Sequence, residues 1–217
     1  MKKSLAFTLA EVMLTMTIVG VVAAMTIPTL HYQRVKKEYS AKLKNFYSRM
    51  ENAILDMEID HGSFKNLPQP AIGDVDGGFE FYLKYIDPYL GHAYVDKNKH
   101  VVYYRDGSSF GVSYVGQFLE FWYDVNGDKA PNKSGFDRYM FLYGFTDQLR
   151  KSCYGNPNTF FGPYCPRGEA ITGVSRETLI QKCRDGEDGT VYSSGAWCTK
   201  LLQVDQWEFK DDYPLKF

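Results

Sequence analysis

The chain has almost no net charge: 25 Lys and Arg stand against 26 Asp and Glu. Without a global field it has nothing to hold a polyanion, so no specific nucleic-acid partner is expected. Cysteine is missing until late, all four (Cys153, Cys165, Cys183 and Cys198) lying in the last third, and no histidine follows His100. No cysteine pair has C-x2-4-C spacing and no histidine stands near one, which argues against zinc. His31, His61, His92 and His100 form no H-E-x-x-H or other ligand spacing and read as ordinary surface residues. Gly107-Ser108-Ser109-Phe110-Gly111 matches the G-x-S-x-G hydrolase elbow. That chemistry needs an acid and then a histidine downstream; no histidine follows, and the flanks read as a hairpin. No internal repeat or low-complexity tract is visible, and no enzymatic chemistry is expected.

One further scarcity organises the rest. From Phe7 to Leu30 the only charged residue is Glu11, and at about 1.5 Å per residue such a helix crosses a hydrocarbon core of about 30 Å. An acid at the centre of a span costs about 3 kcal/mol, so one near its end asks for a partner. Lys2 and Lys3 give a basic start, but the small residue Ala6 comes before the apolar run, whereas a cleaved secretory signal has its small residues after it. Gly20 with Ala24 forms a small-xxx-small pair, and Pro28 removes a donor to the carbonyl of Ala24, which should kink or loosen the helix.

Ala6 followed by Phe7-Thr-Leu-Ala-Glu11, then a span with Gly20 and Pro28, resembles the class III signal of type IV pilins and type II secretion pseudopilins. The likeness covers about 30 residues and departs at Ala6, where the family usually has Gly. It implies that prepilin peptidase cuts between Ala6 and Phe7, methylates the new amino group of Phe7 and leaves the apolar segment in place. It implies that Glu11 meets the N-terminal amine of a neighbouring subunit in a filament. The implied partners are other pilin subunits, the peptidase and an inner-membrane assembly platform. The implied location is a single pass through a bacterial inner membrane, with the N-terminus cytoplasmic and the head periplasmic, then an extracytoplasmic filament. The resulting expectation is a structural subunit of a type IV pilus or a type II secretion pseudopilus, a minor component by the size of its head. The alternative is a membrane-tethered extracytoplasmic binding domain that does not assemble.

Past the span, Val35, Tyr39, Leu43, Phe46, Tyr47, Met50, Ala53, Ile54 and Met57 recur every three or four residues, the pattern of an amphipathic helix that Gly62 would end. Arg34, Lys36, Lys37, Lys42 and Lys44 read as a solvated basic face near headgroups. Residues 67–78 read as a loop and Phe79 to about Pro88 as a short helix. Val101–Tyr104, Phe110–Val115, Phe118–Val125 and Arg138–Phe145 read as strands. Trp197–Val204 reads as a helix, followed by a terminal strand or tail. The expected fold is α+β, a pilin-like ladle in which a long N-terminal helix packs on an antiparallel sheet. The divisions are residues 1–6 (leader), 7–30 (transmembrane and assembly helix), 31–61 (helix on the head) and 62–217 (head).

An even cysteine count behind an export signal predicts two disulfides. Three pairings are open, and the local ones, Cys153 with Cys165 and Cys183 with Cys198, are preferred. Asp124, Asn126 and Asp128 place side-chain oxygens at alternate positions, as at the start of an EF-hand loop, with Asp137 further on. The sixth place lacks Gly and the twelfth is Gly135, so the rival reading is an Asx-rich turn. No cofactor is required; calcium is the candidate at these four residues.

Overall fold

The computed structural model describes residues 8–71, 73–116, 118–166, 170–185 and 191–216. The cleavage pair Ala6 and Phe7 lies outside them. Helix α1 runs from Leu9 to His61, 53 residues or about 80 Å. Thr8 caps its start, and Gly62 at φ 78 ends it with an N–H bond to the carbonyl of Glu58. From Tyr39 onward Leu43, Phe46, Met50, Ala53, Ile54 and Met57 are buried, so the period of three and four becomes the face laid on the head. The basic face is not uniformly solvated. Lys36 is buried with its ammonium 4.7 Å from the Tyr32 ring centre, and Lys42 donates to the carbonyl of Val125 at 3.0 Å. Long lysine stems cover apolar surface here, which a charge count does not register.

Six antiparallel strands follow in sequence order: β1 (Tyr94–Asp96), β2 (Val101–Tyr103), β3 (Ser109–Tyr114), β4 (Phe118–Asp124), β5 (Arg138–Gly144) and β6 (Phe161–Pro163). Their register places one apolar row opposite the next: Phe110 faces Tyr123, which faces Tyr139, and Val112 faces Phe121, which faces Phe141. This face receives α1. Phe46 stacks on Tyr123 at 4.1 Å and meets Phe141 edge-on at 5.1 Å. The outermost strands escaped sequence reading because three residues are too few to show alternation.

Helix α2 (Val75–Tyr85) begins inside the segment read as a loop. Asp74 caps it, accepting from the N–H of Gly77 at 2.8 Å. A Cβ on Gly78 would sit 2.1 Å from the Cβ of Tyr114, so that glycine lets helix and strand touch and does not mark a turn. Helices α3 (Asp147–Tyr154) and α4 (Arg176–Asp185) were not foreseen, and the expected helix at Trp197 is the second half of α5 (Val191–Val204). After α5 the chain forms turns with no ladder pairing among the described residues, so the terminal strand is not made. The structure contains the disulfides Cys153–Cys165 and Cys183–Cys198. His92 and His100 are not free surface groups: each is half-buried, 3.0 Å from Asp87 and Asp76 respectively.

Candidate functional site

Among the described residues, nothing packs on the first half of α1. Leu9 is 78% exposed, Met25 72% and Leu30 68%, and the helix stays bare until about Tyr32. A fully exposed apolar cylinder of this length is stable only in lipid or against other apolar helices. Its composition suffices to cross a membrane. At its tip Glu11 closes a capping box: its carboxylate accepts from the N–H and the hydroxyl of Thr8, both at 2.8 Å, while the Glu11 N–H donates to the Thr8 hydroxyl at 3.3 Å. Among the described residues, therefore, the acid's partners are Thr8's own groups. A Cβ on Gly20 would meet nothing within 4 Å, which leaves a shallow place on the cylinder for close approach of another helix. The helix continues through Pro28; nearby, the Thr26 hydroxyl bonds the carbonyl of Val22 at 2.9 Å and that of Thr29 bonds Met25 at 3.4 Å.

The Asx-rich segment after β4 brings three of its four candidate ligands together. The Asn126 side-chain amide lies within 3.3 Å of Asp137 and, with its amide turned to satisfy its neighbours, 2.7 Å from Asp124. Asp128 points elsewhere, to the hydroxyl of Tyr103 at 3.1 Å. The carboxylates are committed to protein donors: Asp124 to Nε of Arg138 at 2.8 Å, its cross-strand neighbour, and Asp137 to the backbone N–H groups of Asn132 (2.9 Å) and Lys133. Burial pushes the Asp124 carboxyl up, against the pull of Arg138. Among the described residues no three His, Cys, Asp or Glu are grouped to share a metal ion.

Sequence spacing did not reveal what this loop joins. Lys42 of α1 bonds the carbonyl of Val125, and the hydroxyl of Tyr213 bonds that of Gly135. Gly135, at φ 75, has no room for a Cβ, which would lie 2.4 Å from the sulfur of Cys198. The loop thus ties stalk, sheet and C-terminal segment at one point. Because its carboxylates already have donors, melting in EDTA and again in excess calcium is expected to move Tm by less than about 1 °C. A calcium-dependent rise of several degrees would restore the ion site.

The bare apolar helix, its terminal acid and the disulfide-bearing α+β head define a pilin-like protein. A family model for the prokaryotic N-terminal methylation motif matches residues 1–27, so the chain carries a type IV pilin-like prepilin signal. A second model matches residues 29–217, and the chain belongs to that family, described as a family of unknown function (DUF6613). No curated protein and no solved structure matches the chain.

Proposed function

We propose that prepilin peptidase cuts the chain between Ala6 and Phe7 and methylates Phe7, and that an inner-membrane platform then assembles it with other pilin-like subunits. The product is a type IV pilus or a type II secretion pseudopilus in which this chain is a minor component without chemistry of its own. The supporting observation is one unbroken helix, bare and apolar in its first half and locked into the head in its second. A tether needs only a span. A rigid continuation into the core fixes where the head stands relative to the span, as packing among subunits requires.

In this reading the N-terminus stays cytoplasmic until processing, and the head lies on the far side. Glu11 exchanges its Thr8 partners for a neighbour's Phe7 amine, charge meeting charge in a dry bundle, with Gly20 and Pro28 shaping the contact. Mass spectrometry of the purified protein should give a mature chain beginning at N-methyl-Phe7. An intact Met1, or loss of the whole apolar segment, would remove the proposal. Glu11→Ala should insert normally yet enter filaments at least about tenfold less, since an amine buried without its acid is costly. Wild-type incorporation of that variant would remove the pairing.

A further inference from the structure

A cavity of 540 Å³ opens on the head between α1, the segment 154–161 and α5, away from the bare half of the helix. This is the size of a small-molecule site. Its outer wall is irregular chain held rigidly. The Cys153–Cys165 disulfide closes the base of the segment, and the buried Arg150 lies 4.2 Å below the Phe160 ring while donating to the carbonyl of Gly144 at 2.9 Å. The hydroxyl of Tyr154 donates to the carbonyl of Pro163 at 3.0 Å. Such a wall is ordered before a ligand arrives.

Two opposite charges face this space and do not meet. On α1, Glu51 is half-buried, and among the described residues its hydrogen-bond partner is the Tyr47 hydroxyl. On α5, Lys200 is half-buried, and its ammonium gives one of its three donors to Oε1 of Gln203 at 2.8 Å. The amide of Gln203 donates to the Tyr47 hydroxyl at 3.4 Å, so a polar chain lines the floor from cation to anion. Neither charge has an ion-pair partner among the described residues. Burial pushes the Glu51 carboxyl up and the Lys200 ammonium down, so each is partly withdrawn from water. The ring of Phe160 and the half-exposed Leu55 line the same cavity and give it an apolar wall beside the two charges.

We propose that this cleft binds a short zwitterionic peptide of about two or three residues, its carboxylate on Lys200, its ammonium on Glu51 and a side chain against Phe160. The proposal does not depend on assembly into a filament. Alanyl-phenylalanine is the probe, compared by equilibrium dialysis with its C-terminal amide and its N-acetyl form, against the full chain in detergent micelles. The free dipeptide should bind at least about tenfold more tightly than either blocked form, as loss of a charged hydrogen bond implies. Lys200→Met should abolish the preference over the amide and keep that over the acetyl form; Glu51→Gln should do the reverse. No saturable binding by the wild type up to about 10 mM, equal binding of the three probes, or unchanged preferences in both folded variants would overturn it. Should a variant fail to fold, the wild-type comparison among the three probes decides alone.

Discussion

Phe46→Ala is expected to destabilise the head by about 3–5 kcal/mol, the largest effect of any single truncation in α1. Phe46 is 2% exposed and lies at the joint of stalk and sheet, against rings from four strands: Phe110, Tyr123, Phe141 and Phe161, at centroid distances of 5.4, 4.1, 5.1 and 6.3 Å. Removing the ring leaves a cavity that four rigid aromatic neighbours cannot fill, because each is fixed by the strand that carries it. In a domain of this size the loss corresponds to a Tm fall of about 10 °C. Urea denaturation of the full chain, followed by the near-ultraviolet signal of the aromatic core, measures it. A change below about 1 kcal/mol would mean that α1 is not the element on which the sheet closes. Leu55→Ala, on the open side of the same helix and 50% exposed, should cost far less and serves as the control.

Asp205→Ala is the second large effect, at about 3 kcal/mol. Its side chain is 1% exposed just after α5. It accepts from Nε of Arg176 at 2.7 Å, Nη2 of Arg176 at 2.8 Å and Nζ of Lys210 at 2.7 Å. The far edge of the same guanidinium is held by Asp212, with contacts of 2.6 and 2.7 Å. One arginine from the start of α4 therefore fastens the turn after α5 and the C-terminal segment, and deleting the buried acid leaves Arg176 with Asp212 alone and takes from Lys210 its carboxylate. Burial pushes the Asp205 carboxyl up, but the bonds from Arg176 and Lys210 outweigh it and hold the group below the usual aspartate range. An acid whose pKa is lowered by folding contributes stability above its unfolded pKa of about 4, and that stability is lost as pH falls through the lower folded value. The stability gap between wild type and Asp205→Asn should thus be full at pH 6 and shrink below about pH 4. A gap that stayed constant down to pH 2 would rule out the ion pair as its source.

The long helix, four of the six strands and the presence of two disulfides could be read from periodicity, β-branched and aromatic runs, and an even cysteine count, while which cysteine pairs with which stayed open among three arrangements. The segment 67–78 could not, because its glycines read as turn signals while Gly78 is there for lack of a side chain against Tyr114. Nor could the role of Asp124, Asn126 and Asp137 be read. Alternating oxygens are common to a cation loop and to an Asx turn, and the difference lies in whether Arg138 and the N–H groups of Asn132 and Lys133 take them up. Arg176 gave no sequence signal, since its partners lie 29 and 36 residues away.

What the chain determined by itself is local: an apolar run long enough to span a membrane, one acid near its start, and a stripe with helical period that had to be covered. These follow from residues within a turn or two of each other, so order along the chain was enough. Which carboxylate meets which donor, where a glycine is obliged by a neighbour, and that Glu51 and Lys200 face one cavity without meeting were decided only by the fold. Each depends on groups far apart in sequence, and their approach is set by how α1 and α5 pack about the sheet, which no local pattern encodes.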